Sequence, residues 1–232
     1  MLGVLPPSTD MAGYYQLEGN SNDLSGNGNN GTDANITYGL AYGKFGQGAS
    51  CNGTTSSIIA NGLLTTLATS TTGTISFWFN TQTSASGSRL CMYIKNDLIS
   101  ITRFYIQQNW AAGTKYIIIA LQIDGTIQWN YHSAANTLTT WAGTWHNMVI
   151  VQDGVAPKFY MDGSLLTMVA TTTTNTTKWF KALITDAISP ISDTEVVYTD
   201  YLGNIDEIVF MKTRAWTAKE VKKHYSQYKG FF

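Results

Sequence analysis

Short apolar or alternating runs recur along this chain, separated by turns rich in Gly, Asn, Asp and Thr. The period-two pattern is clearest in TISFWFN, Thr74–Asn80, where Ile75, Phe77 and Phe79 share one face. Further strands are expected at Gly13–Glu18, Ala49–Asn52, Ser56–Ile59, Leu90–Lys95, Leu98–Gln107, Tyr116–Ile123 and Thr126–His132. Trp145–Gln152, Lys158–Met161, Ser164–Val169, Lys181–Ile188 and Leu202–Lys212 complete the set. Asp124-Gly125 is the best short hairpin signal; Asp153-Gly154 and Asp162-Gly163 turn two more hairpins. Asp23–Thr32 and the Thr171–Thr177 run read as polar loops. One helix is expected near the end, because Thr217-Ala218-Lys219-Glu220 has the capping-box pattern. Val221, Tyr225 and Tyr228 then share a helix face, and Trp216 is placed to staple against Val221.

About a dozen strands without βαβ alternation predict an all-β, two-sheet antiparallel jelly-roll sandwich with one short C-terminal helix. No Pro/Gly-rich linker splits the 232 residues. One domain is therefore expected over residues 11–232, after an extended N-terminal arm, residues 1–10, stiffened by Pro6-Pro7. Composition agrees. Charged residues are 12%, about half the usual share, and Thr, Asn, Ser and Gly replace them. A hydrophobic content of 44% excludes disorder.

The formal net charge is −1. Residues 211–232 carry +5 and the rest −6, which reads as a solvated helix face and predicts no nucleic-acid partner. No apolar run approaches the ~20 residues of a bilayer span, so no membrane insertion is expected. MLGVLPPSTD has neither a positive n-region nor a long apolar stretch, so no signal peptide is visible. Cys51 and Cys91 make no disulfide framework and read as buried free thiols.

Five segments resemble one family, the laminin-G-like, concanavalin A-like jelly-roll domains. They are GYYQLEGNSNDLSGNGNNGT, GKFGQGASCNG, TISFWFN, GTWHNMVIVQDGVAPKFYMDGSLL and GNIDEIVFMKTRAWTAKEVKKHY, running from about Gly13 to Tyr225. Cys51 stands where the family usually has an aromatic residue. The resemblance implies two packed antiparallel sheets with adjacent terminal strands. It implies no single function, since such domains bind sugars, proteins or calcium, or act as spacers.

Three constellations carry candidate chemistry. In DLSGNG, oxygens at Asp23, Ser25 and Asn27 precede Gly28 with the spacing of a tight Ca²⁺ loop. The acid expected at position twelve is missing, since Ala34 stands there. The resemblance implies a supply from the closing strand, at Asp206 and Glu207. Strand parity lets only one of them face the loop and puts Glu207 on an otherwise apolar face, where it needs a partner. An Asx-turn loop without metal accounts for the same residues. Catalysis is the second constellation and is mostly absent. No paired carboxylates share a strand, Asp193-Thr194-Glu195 stands in an expected loop, and the three histidines lack motif spacing. The third is aromatic. Trp78, Trp145 and Trp216 align with family core positions. Trp110 and Trp141 flank Ala-Gly loops and could stack on sugar rings, with Asn130 and His132 supplying hydrogen bonds, unless the indoles fold back on the sheet.

The expected function is a non-catalytic, lectin-like binding or structural module. It would be a surface component of a virion, such as a phage fibre, tail or head-decoration protein, with glycans or protein subunits of a larger assembly as partners. The alternative is a secreted or cell-surface carbohydrate-binding or adhesion module, and a glycosidase ranks below both.

Overall fold

The structure is a computed structural model that describes residues 9–60, 62–83, 88–95, 102–110, 114–185, 195–196 and 201–229. Most of the expected arm, Met1–Ser8, lies outside the described residues, as do Asp193 and Thr194.

An eight-stranded sheet contains β1 (Met11–Tyr15), β3 (Thr37–Gly39), β4 (Gly48–Asn52), β6 (Gly73–Thr81), β11 (His146–Gln152), β12 (Pro157–Met161), β13 (Ser164–Leu165) and β16 (Leu202–Met211). Its order is β13-β12-β11-β6-β16-β4-β3, with β1 on the far half of β16. The terminal strands are thus adjacent. The six-stranded sheet contains β7 (Ser88–Lys95), β8 (Arg103–Asn109), β9 (Tyr116–Ile123), β10 (Thr126–His132), β14 (Val169–Thr173) and β15 (Glu195–Val196), in the order β14-β10-β9-β8-β7-β15. A small pair joins β2 (Gly31–Ala34) to β5 (Ser57–Ala60).

Between the two large sheets lies one apolar core. Ile75, Phe77 and Phe79 of β6 face Phe104 and Ile106 of β8, Ile117, Ile119 and Leu121 of β9, and Trp129 of β10. The alternation expected from the sequence holds on these strands, and their pairings are antiparallel, with the register shifting only at bulges. Asp124-Gly125 and Asp162-Gly163 have positive φ at both positions (45° and 78°, 52° and 76°), the mirror-image turn that matches strand twist.

Four local expectations are corrected. Thr171–Thr177 is not all loop: Val169–Thr173 is a strand paired with β10, as β-branched residues favour. The described part of the expected Lys181–Ile188 strand, through Thr185, is no strand. Residues Ala182–Thr185 form a helical turn, α3, which lets consecutive residues Trp179 and Phe180 and then Ala182 and Leu183 all reach the core. Two further short helices, α1 (Leu63–Thr66) and α2 (Thr137–Trp141), add to the single helix expected. Gly31–Ala34 pairs where only a loop was expected.

The closing helix, α4 (Ala218–Lys229), forms as its cap predicts. The Glu220 N–H donates to Thr217 Oγ1 at 3.3 Å, and the Thr217 N–H donates to Glu220 Oε2 at 2.8 Å. Trp216 packs against the cluster of Val149, Val151, Tyr160 and Val221. Tyr225 stacks on Trp78 at 5.6 Å. The helix therefore seals the outer face of the large sheet. The side chain of Tyr228 lies outside the described residues. No described helix is long and apolar enough to cross a membrane.

Candidate functional site

The outer face of the six-stranded sheet has no such helix among the described residues, and its side chains join none of the hydrophobic clusters built on described residues. Strand parity decides what stands there. Since Phe104, Ile106 and Gln108 point inward on β8, Arg103, Tyr105, Gln107 and Asn109 point outward. The register continues these rows across the sheet. Tyr93 pairs with Tyr105, Tyr105 with Ala120, and Ala120 with Asn130. In the next rows Gln107 pairs with Ile118, Ile118 with His132, and Asn109 with Tyr116. Tyr105, Tyr116, Asn130 and His132 are each half-buried. The Tyr116 and His132 rings lie 5.0 Å apart. His132 Nδ1 contacts the Ser133 carbonyl at 2.8 Å, which fixes the imidazole. Burial raises the Tyr105 hydroxyl pKa against the opposing pull of Arg103. The result is a plate of flat rings ringed by amide and guanidinium donors, the chemistry that sugar hydroxyls and ring faces require.

Of the four residues expected to bind sugar, this face brings together Asn130 and His132. Trp110 and Trp141 are corrected: neither is a platform. Trp110 is 1% exposed because β8 runs two residues further than expected and its inward alternation continues through Gln108 to Trp110. Its indole N–H donates to Gln108 Oε1 at 3.1 Å. Trp141 is 9% exposed because α2 places it three residues after Leu138, on the same inward face, edge-on to Phe79. The tyrosines that take their place were not singled out from the sequence. Their signal was available: Tyr105 falls at an outward position between buried Phe104 and Ile106.

The Asp23 loop is organised by hydrogen bonds. Asp23 Oδ1 accepts from the N–H groups of Tyr14 (3.0 Å) and Ser25 (2.9 Å). Its Oδ2 accepts from the Asn29 N–H (2.9 Å) and the Ser25 hydroxyl (2.8 Å). Asn27 turns its amide nitrogen inward, donating to the Met11 carbonyl at 2.7 Å. Donors thus occupy the lone pairs that a cation would need, and the residues do not fit a Ca²⁺ site as arranged. The two carboxylates of the closing strand bind other partners. Asp206 Oδ2 accepts from the N–H groups of Lys44 (2.8 Å) and Phe45 (2.9 Å) and so pins the turn of the GKFG segment to β16. Glu207 sits at φ 51° in a bulge, so the expected alternation breaks and Ile205 and Ile208 both reach the core. Glu207 does find the partner that its burial demands: the Tyr14 hydroxyl donates to Oε2 at 2.8 Å. Among the described residues no group of three or more His, Cys, Asp or Glu could hold a metal.

A further polar chain lies at the start of the β11–β12 hairpin. Thr144 Oγ1, His146 and Asp162 form a chain, with Nε2 2.8 Å from Thr144 and Nδ1 2.7 Å from Asp162 Oδ2. The connectivity is that of a nucleophile, base and acid. The Gly143 and Thr144 N–H groups donate to the Thr81 and Trp141 carbonyls. Asp162 Oδ1 meanwhile accepts from the Asn147 N–H, which clamps the β11–β12 hairpin. Cys51 is a buried free thiol, as expected, and burial pushes its pKa up to about 12. The Cys91 side chain lies outside the described residues.

Two packed antiparallel sheets, adjacent termini and one open face of rings and amides define a lectin-like β-sandwich. The family model described as the concanavalin A-like lectin/glucanases superfamily, a laminin G type, matches residues 52–222, and the chain belongs to that family. No curated protein matches the sequence. Among solved structures, domain 4 of AbnA, a GH43 extracellular arabinanase of Geobacillus stearothermophilus in complex with arabinotriose, is similar at 18% identity and TM-score 0.61. That match covers 92% of this chain and 97% of the other. The binding domain of botulinum neurotoxin serotype D is similar at 13% identity and TM-score 0.66, covering 94% of this chain; the chain spans 51% of that domain's length. The CBM40 of a Ruminococcus gnavus IT-sialidase, bound to α2,3-sialyllactose, is similar at 14% identity and TM-score 0.53, covering 77% of this chain and 96% of the other. These likenesses are likenesses of fold.

Proposed function

We propose that the protein is a non-catalytic glycan-binding module that binds through the outer face of the six-stranded sheet. One observation carries this reading: Tyr105, Tyr116, Asn130 and His132 stand on one face while the opposite sheet is sealed by α4. Similar domains seen with arabinotriose and with sialyllactose support it. Presentation on a virion surface or outside the cell, within a larger assembly, is part of the same proposal. It is supported by a low-charge composition rich in Thr, Asn and Gly. Titration against a panel of oligosaccharides tests the binding reading. Tyr105→Ala is expected to weaken the best ligand about tenfold, the value of roughly 1.4 kcal/mol of lost ring contact. Trp110→Phe, in the core, is expected to leave affinity unchanged. Equal affinity in Tyr105→Ala and wild type overturns the assignment of this face.

A further inference from the structure

The row at one end of this face carries an acid and two cations, Glu195, Lys95 and Arg103. Lys95 on β7 pairs in register with Arg103 on β8, which pairs with Gln122 on β9. Lys95 has the acid Glu195 opposite it on β15, whereas Arg103 stands between Lys95 and the neutral Gln122. Arg103 is half-buried and tightly posed. Its Nε–H donates to Gln122 Oε1 at 3.0 Å. Its guanidinium carbon lies 5.0 Å from the Tyr105 ring centroid and 5.8 Å from that of Tyr93. The ion pairs His146–Asp162, Lys158–Asp153 and Arg214–Glu220 do not involve Arg103. No described carboxylate comes within ion-pair distance of Arg103. The Gln122 bond uses one donor and leaves the two terminal nitrogens of the fork.

A guanidinium fixed by rings and an amide, with its fork unspent, is preorganised for a planar oxyanion. Resting on the glycan-binding reading above, we infer that the face is selective for acidic sugars, with Arg103 receiving the carboxylate or sulfate ester and Tyr105 packing the adjoining sugar ring. Ring and charge then act on one ligand. A neutral sugar would fill the ring contact and leave the Arg103 fork without an oxyanion.

The test compares lactose, 3′-sialyllactose, 3′-sulfolactose and trigalacturonate by calorimetric titration, together with an array of acidic and neutral glycans of matched cores. Wild type is expected to bind an acidic glycan about tenfold or more tightly than its matched neutral core, with affinity falling as salt rises. The sialyl and sulfo arms separate a carboxylate from a sulfate ester. Arg103→Gln is expected to bring acidic and neutral affinities within about twofold while neutral binding stays as it was. Arg103→Lys is expected to keep part of the preference, since it keeps the charge and loses the fork. Thermal melts confirm that each variant is folded. If neutral glycans bind wild type as tightly as acidic ones, or if Arg103→Gln keeps the preference, the inference fails and the glycan reading stands. If no glycan binds, acidic or neutral, both fail together.

Discussion

A single carboxylate shows how residue type and surroundings decide between binding a cation and holding a loop. Asp23 receives four donors, three of them backbone N–H groups that would otherwise be left without an acceptor in a partly buried loop. Asp23→Ala is therefore expected to lower stability by about 2–3 kcal/mol in urea unfolding. Millimolar Ca²⁺ is expected to give no heat and no thermal shift, and a clear shift with Ca²⁺ would show that the loop trades donors for an ion. Two other buried groups set a pH profile. Burial pushes the Asp206 pKa up to about 8, with the neighbouring Glu207 charge adding to the rise, so the folded state holds a proton that the unfolded state releases near 3.8. Raising pH through that window costs stability. Burial lowers His224 from 6.5 to about 4, so there the unfolded state holds the extra proton and raising pH restores stability. The two slopes oppose each other between about pH 4 and 6.5 and leave only the Asp206 loss above it. From these groups, stability is expected to stay level to about pH 6.5 and then fall by about 2 kcal/mol toward pH 8. Denaturant melts across pH check this, and Asp206→Asn is expected to flatten the alkaline limb.

At the scale of elements, the sequence was most legible where two signals agreed. Residues Tyr116–Ile123 and Thr126–His132 combine alternation with an Asp-Gly turn, and both strands have the expected bounds. The α4 start combines a capping box with a staple. Its Glu220 carboxyl is held down to about 2 by the Thr217 N–H and the Arg214 guanidinium, which keeps the cap charged at ordinary pH. Thr217→Ala is expected to cost about 1 kcal/mol in thermal unfolding, while Lys219→Ala, on the exposed face, is expected to cost less than about 0.5 kcal/mol. Elements with one weak signal were missed. α1 and α2 are four and five residues long, too short for a helical period to show. The run at 181–188 is apolar without a decisive period, and only the core contacts of Leu183 distinguish turn from strand. Local alternation also hides a bulge, which is why Glu207 defeated the parity argument.

Over the whole molecule, the sandwich is asymmetric. The outer face of the large sheet is covered by Trp216, Val221 and Tyr225, while that of the small sheet carries half-buried rings and amides. The sequence disclosed the fold because the core alternation and the family segments lie mostly on the large sheet and its helix. It disclosed the site poorly for the same reason: outward positions of the small sheet obey no spacing rule, and large indoles near Gly attract attention that their burial does not justify. Asn130 and His132 were found by residue type, whereas Tyr105 and Tyr116 needed the cross-strand register. The asymmetry makes a molecule-wide prediction. Hydroxyl-radical footprinting with and without saturating oligosaccharide is expected to show Tyr105, Tyr116 and His132 losing label together, because they share one face. Trp216 and Tyr225, equally half-buried but on the helix side, are expected to keep theirs. Core residues Trp110 and Trp129 are expected to label weakly in both states, since each is nearly inaccessible. Protection centred on Trp216 and Tyr225 instead would move the binding surface to the helix-covered sheet and leave the ring face without a role.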